Sequence, residues 1–196
     1  MYLPAIFHEQ DLATLQQVME AHSFATLVTI VEGAPFATVL PFMLDRTQGP
    51  YGALVAHLAR ANPQWEHFAN GQEALVIFQG PHAYISPAWY ESEFAVPTWN
   101  YLAVHAYGSP RIVDDQATVQ QMLEQLVDLH EAPRSEPWRF AWSERHLNLL
   151  KGIVAFRIEI TRLEGKAKLS QSRPLADRAG VIRNLQASTD CIEQAV

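Results

Sequence analysis

Phe24-Ala25-Thr26-Leu27-Val28-Thr29-Ile30-Val31-Glu32-Gly33-Ala34-Pro35-Phe36-Ala37-Thr38-Val39-Leu40 is the stretch that decides the fold class. Phe24–Val31 is dense in β-branched residues and reads as a strand. Glu32-Gly33 makes a tight turn, and Pro35–Leu44 returns as the antiparallel partner. A turn this short has no room for a crossover helix, so a doubly wound parallel sheet is disfavoured.

The same reading extends outward in both directions. Upstream, Asp11 caps a helix whose apolar face is Leu12, Leu15, Val18 and Met19, ending near His22. Downstream, Tyr51–Leu58 reads as a third strand. Asn62-Pro63 opens a short helix with Trp65 and Phe68 facing inward. Glu73–Phe78 is a fourth strand, which breaks at Gly80-Pro81 and resumes as His82–Ser86 before a loop from Pro87 to Thr98. Trp99–Val113 then forms one long, strongly bent strand. Helices follow at Ala117–His130, with Val119, Met122, Leu123, Leu126 and Val127 at helical spacing, and at Ser143–Leu150. Gly152–Leu163 is the last strand, with Val154, Phe156, Ile158 and Ile160 on one face. A closing helix spans Leu175–Gln186, weakened by Gly180. About six mostly antiparallel strands with late helices imply a β-rich α+β fold, a closed barrel with peripheral helices. The expectation is a single domain over 1–196, with a helical insertion at about 115–150 and a helical extension at about 174–196.

Composition narrows the class of protein. Of the 196 residues 48% are hydrophobic and 18% charged, enough for a substantial core and incompatible with global disorder. The first residues hold no cationic segment followed by a long apolar run, so no signal peptide is expected. No run approaches the roughly 20 apolar residues of a membrane span. The lone Cys191 excludes an internal disulfide and a cysteine zinc site. Together these features lead to the expectation of a cytoplasmic protein with no membrane partner. Net charge is −7, yet Arg162–Arg183 is +4, leaving −11 elsewhere. An acidic body repels nucleic acid, while the basic segment either is a solvated surface or holds a phosphate.

Several chemistries are absent. There is no glycine-rich phosphate loop, no Gly-x-Ser-x-Gly elbow and no His-Glu-x-x-His helix. The Ala117–His130 helix carries Glu124 and Asp128 but no lysine or arginine, so it lacks the cations of a DNA-reading helix. DNA remains a possible partner that the charge pattern does not support.

Other segments have the residues for ligand binding. Gln79-Gly80-Pro81-His82-Ala83-Tyr84-Ile85-Ser86-Pro87-Ala88-Trp89-Tyr90 and Pro97-Thr98-Trp99-Asn100-Tyr101 are rich in flat aromatics beside turns. Trp89, Trp99 and Tyr101 either plug the barrel end or stack on a planar ring or a partner subunit. In His57-Leu58-Ala59-Arg60-Ala61-Asn62-Pro63, His57, Arg60 and the helix-start amides suit an anion, although an ordinary capped turn would look the same. Lys168-Leu169-Ser170-Gln171-Ser172-Arg173 supplies polar donors for a phosphate or a carbonyl-rich ring, or is simply an exposed loop. His57, His82 and His105 raise a metal or haem reading, weakened by the lack of paired carboxylates; no metal ligand set is assigned.

These strings resemble the PaiB family, described as FMN-binding negative transcriptional regulators. The resemblance rests on Met1-Tyr2-x-Pro4-x-x-Phe7, Asn62-Pro63-Gln64-Trp65, Val76-x-Phe78-Gln79-Gly80-Pro81-His82-Ala83-Tyr84-Ile85-Ser86, Val96-Pro97-Thr98-Trp99-Asn100-Tyr101, Lys151-Gly152-Ile153-Val154 and Lys168-Leu169-Ser170-Gln171. Ser172 departs from it, standing where many relatives have asparagine. The resemblance implies an FMN-binding split β-barrel and a homodimer with flavin at the subunit interface. It puts backbone groups around Thr38 and Leu40 against the flavin ring, and His57, Arg60 and Asn62 near the phosphate. Trp99, Lys168, Gln171 and Arg173 would close the site, from either subunit. The function implied is transcriptional repression or metabolic sensing; the alternatives are a flavin-dependent oxidoreductase acting on a small substrate and a haem-binding split barrel. No catalytic residue is assigned.

Overall fold

The computed structural model describes residues 1–196 and divides into two compact units. The first comprises Met1–His22, Phe78–His105 and Glu164–Val196; the second comprises Ser23–Ile77 and Ala106–Leu163. In chain order the strands are β1 (His8–Glu9), β2 (Phe24–Val31), β3 (Ala34–Pro41), β4 (Met43–Asp45), β5 (Ala53–Ala59), β6 (Ala74–Ile85), β7 (Thr98–Gly108), β8 (Pro110–Val113), β9 (Ile153–Glu159) and β10 (Arg162–Lys168). The helices are α1 (Leu12–Ala21), α2 (Gln116–Glu131), α3 (Glu144–Leu149), α4 (Leu175–Ala187) and α5 (Cys191–Gln194). No helix is long and apolar enough to cross a membrane.

In the second unit the expected hairpin forms. β2 pairs antiparallel with β3 from Phe24↔Pro41 to Val31↔Ala34, and Glu32 (φ 51°) and Gly33 (φ 80°) supply the left-handed turn. Thr26–Val28 pairs on its other side with β6, so β3 is left at a sheet edge. The expected partner strand does not run unbroken to Leu44. Phe42 is 2% exposed, packs against Phe156 and donates its amide to Ser23 O at 2.8 Å. That anchor ends β3, and β4 joins a separate four-stranded antiparallel sheet, β4-β5-β9-β8. β5 and β9 pair from Ala53↔Glu159 to Ala59↔Ile153, and both read as nearly continuous apolar runs because they are covered. Val119 and Met122 of α2 pack on Val55 and Ala155.

The expected bent strand from Trp99 to Val113 is likewise two strands, broken at Ser109. A Cβ on Gly108 would stand 2.1 Å from Glu159 O, so only glycine lets the chain cross there. The strand expected over Gly152–Leu163 stops at Glu159, and β10 is a separate strand that short apolar periodicity does not reveal. After β5, Pro63–Asn70 is a 3-10 segment capped by Asn62, whose side chain accepts from Gln64 N. Its inward residues are Gln64 and Phe68; Trp65, expected inward, is only half-buried.

In the first unit neighbouring strands follow the order β1-β10-β7-β6. The Asp11 carboxylate accepts from Thr14 N at 2.8 Å and starts α1, which buries Leu15 and Met19 as the spacing requires. β6 passes through Gly80-Pro81 without the expected break. Both residues are buried, and proline's fixed φ is compatible with extended backbone. Ala83 and Ile85 of β6 pack against Val181 and Leu185 of α4. The backbone at Trp89 lies directly on α4: a Cβ on Gly180 would come within 1.9 Å of Trp89 O.

Candidate functional site

In the second unit the turn after β5 is fixed from several directions. Arg60 donates its backbone amide to Gly152 O, its Nε to Lys151 O and its Nη2 to Ile153 O, each at 2.8 Å. Trp65 Nε1 closes the turn by donating to Arg60 O at 3.0 Å, with its ring beneath the guanidinium. Arg60 and Lys151 line a cavity of about 270 Å3 together with Trp65, Asp114, Leu147 and Ile153. Two cations thus face one carboxylate. Arg60 Nη1 is not used by these bonds, and Lys151 Nζ bonds only Asn148 Oδ1, at 3.1 Å. This donor set suits an oxyanion with an organic body on the apolar wall.

Asn62 turns to a different neighbour. Its Nδ2 donates to Thr38 Oγ1 at 2.9 Å, tying the turn to β3. Leu40 is 5% exposed and belongs to the core, so β3 offers a ligand its backbone rather than these two side chains. His57 lies among Met43, Val55, Val119 and Met122, apart from the Arg60 cavity. Burial pushes its imidazole below the ordinary 6.5, which keeps it neutral at pH 7. The outward face of the hairpin carries Phe24, Val28 and Ile30 beside Pro35, Ala37 and Val39, with no charge. Phe24 and Val39 are 69% and 54% exposed.

In the first unit Trp99 is half-exposed, its ring 5.9 Å from Tyr84 and 6.2 Å from His82. Lys168 donates to Thr98 Oγ1 and Trp99 O. Burial, then Lys166 and Arg173, hold its ammonium below the ordinary lysine value. Arg173 stacks over the Tyr90 ring at 4.5 Å. Gln171 turns back on its own loop, accepting from Leu169 N and donating to Ala167 O, and so shapes the segment. Ser170, at φ 64°, is buried and donates to Asn100 Oδ1. The nine residues named from the sequence therefore form two groups: Thr38 with Asn62 and, apart from them, Arg60, Leu40 and His57 in the second unit; Trp99, Lys168, Gln171 and Arg173 in the first.

Sequence reading did not single out Lys151 or Tyr90 as site residues, although both stand inside strings already quoted. Asp177 was missed altogether. It is 1% exposed and accepts from Glu91 N, Ser92 N and Ser92 Oγ, a role only tertiary structure reveals. His57 lies in one unit and His82 and His105 in the other, and no three His, Cys, Asp or Glu side chains converge.

The family model described as "Putative FMN-binding domain" matches residues 1–162. The protease synthase and sporulation protein PAI 2 of Bacillus subtilis is 37% identical over 190 residues, 95% of this chain and 89% of that protein. An uncharacterized protein of Emericella nidulans is 31% identical, covering 95% of this chain and 90% of its own length. Among solved structures, the FAD and haem binding protein of Mycobacterium smegmatis has a TM-score of 0.64 at 18% identity, covering 82% of this chain and 73% of its own. The flavocytochrome Anf3 of Azotobacter vinelandii has a TM-score of 0.63 at 15% identity, covering 82% and 69%. At such identities these two structures bear on the fold alone, which is the β-rich split β-barrel with peripheral helices. The chain belongs to the PaiB family, whose members carry this FMN-binding domain.

Proposed function

We propose that the protein is a homodimeric FMN-binding regulator whose effect on transcription is exerted through its flavin rather than through a DNA-reading helix. The cofactor is FMN, held at its phosphate end by Arg60 and Lys151. The observation that carries this reading is the Arg60–Lys151 cavity: two cations with donors to spare, on a turn that is already rigid, beside an apolar wall. Asn62 and Thr38 support it by fixing β3 against the turn, whereas the side chains of Leu40 and His57 lie apart from the cavity. In the first unit Trp99 presents a half-exposed ring of its own, a separate surface suited to a planar group. When bound, FMN supplies one- and two-electron redox chemistry.

Homodimer formation is supported by the uncharged outward face of β2 and β3, whose large apolar residues lie open to solvent. Direct DNA contact draws no support from α2, which has no lysine or arginine and carries Glu124, Asp128 and Glu131. The sporulation role named for the Bacillus subtilis relative is consistent with a regulatory function.

The test is purification followed by flavin spectroscopy. Bound FMN is expected at about one per chain, and Arg60→Gln with Lys151→Gln is expected to weaken it by about tenfold or more, as loss of charge-assisted bonds to phosphate requires. Wild-type protein that takes up no FMN at micromolar concentration would remove the reading. Steady oxidation of a reduced nicotinamide would shift it to an oxidoreductase, and sequence-selective, salt-sensitive DNA retention would shift it to a direct repressor.

A further inference from the structure

We propose that the first unit carries a second ligand site, independent of the Arg60 cavity, in which Lys168, Arg173 and Tyr90 bind the phosphoryl group of a small phosphomonoester. The site is a cavity of about 120 Å3 lined by Phe7, Tyr90, Thr98, Lys168, Ser172 and Arg173, with no carboxylate on its wall. Three features point to an oxyanion. Two cations converge there, and the ammonium of Lys168, with two donors spent on Thr98 and Trp99, has a third left over. The Tyr90 hydroxyl is buried and has no hydrogen-bond partner in the protein, a donor that costs stability unless a ligand accepts from it. The left-handed Ser170 folds the Lys168–Arg173 loop back so that Arg173 N donates to Ser170 O, bringing both ends of the loop to the cavity.

The surroundings are built to hold this arrangement. Asp177, buried in the first turn of α4, takes three hydrogen bonds from Glu91 and Ser92, and Gly180 admits the Trp89 carbonyl. The backbone on either side of Tyr90 is thereby fixed to α4. The mutual repulsion that lowers the Lys168 ammonium, from Lys166 and Arg173 after burial itself, is the signature of a cationic cluster that gains from an anion. Asp177 is the nearby counter-charge felt by Arg173, but its oxygens are committed to the Glu91–Ser92 donors. Phe7, Val96 and the Tyr90 ring give the cavity an apolar rim, which favours a phosphate ester over the free ion.

Titration calorimetry on the purified protein, with FMN supplied, tests this with inorganic phosphate and with phenyl phosphate. Both are expected to bind and to compete, with phenyl phosphate the tighter; equal affinity would identify free phosphate as the ligand of the same site. Lys168→Met and Arg173→Gln are each expected to weaken binding by about tenfold, and so is Tyr90→Phe, which keeps the ring, as the loss of one hydrogen bond to a charged group requires. Flavin absorbance is read on each sample. Phosphate binding that survives Arg60→Gln with Lys151→Gln, even as flavin is lost, supports two separate sites. The proposal is overturned if neither probe binds, if Lys168→Met leaves binding unchanged, or if Lys168→Met strips the flavin, which would make this segment part of the flavin site.

Discussion

Gln64 carries an unusual share of the second unit's order. It is fully buried, and its Nε2 donates to Leu27 O, Thr29 Oγ1 and Phe36 O, joining both strands of the hairpin to the 3-10 segment. Gln64→Leu keeps the volume but removes these donors, leaving Thr29 Oγ1 to His67 Nδ1 alone and Leu27 O and Phe36 O without the side-chain amide. The expected cost is about 2–4 kcal/mol, read as a lower urea midpoint at unchanged slope. His57 makes a pH prediction. Its folded value lies below 6.5 because the ring is buried, so the unfolded chain binds protons more readily. Stability contributed by neutral His57 is therefore complete above pH 6.5 and declines as pH falls from 6.5 towards the folded value. Burial shifts His105 in the same direction, so both act together. Thermal melts between pH 7.5 and 5.5 should show a falling midpoint, and His57→Leu should flatten that slope; an unchanged slope would remove His57 as a cause.

Elements were legible where a local pattern and tertiary structure agreed. The Asp11 cap with Leu15 and Met19 marks α1, and Glu32-Gly33 marks the β2–β3 hairpin, because both signals lie within a few residues. The splits of β3 from β4 and of β7 from β8 were not legible. They depend on Phe42 finding Phe156, and on Gly108 meeting Glu159, partners far away in sequence. β10 was hidden because Arg162–Lys168 alternates charge with Leu163, Gly165 and Ala167 and buries only Gly165. Gly180 shows the limit most clearly. By propensity it weakens α4, and Gly→Ala on an exposed helix gains about 1 kcal/mol. Here Gly180→Ala is expected to destabilise, since the new methyl meets backbone at 1.9 Å; differential scanning calorimetry decides the sign. Asp177 holds the same junction from its side chain. Burial opposes its charge, but hydrogen bonds from Ser92 and Glu91 outweigh that and lower its value below 3.8. The clamp is therefore present at pH 4 and above and is lost as pH falls through the lowered value. Asp177→Asn should speed amide exchange at Glu91 and Ser92 at neutral pH, leaving β9 unaffected.

At the scale of the molecule, the fold class followed from turn lengths and strand composition, while the site followed only in part. Arg60 and Asn62 are two positions apart in one string, and no sequence rule foretells that one binds Lys151 and Ile153 and the other Thr38. Lys151 could be read as a motif residue but not as the second cation of a cavity 91 residues from Arg60 along the chain. Assembly makes a separate prediction. The outward face of β2 and β3 carries no charged side chain, and Val28→Lys or Val39→Glu places a charge in it. Light scattering should report a dimer for the wild type and a monomer for either variant; a monomeric wild type would end the dimer reading.

The junction at Gly180 also bears on how variation in this family should be interpreted. A position that admits no side chain is intolerant for reasons of shape, and it lies one helical turn from a carboxylate that holds the loop bearing Tyr90. In a saturation screen selected on activity, positions 177 and 180 would be depleted together and would resemble contact residues. Abundance measured on the same library separates the two cases: variants at 177 and 180 lose protein, whereas those at 168 and 173 keep protein and lose ligand.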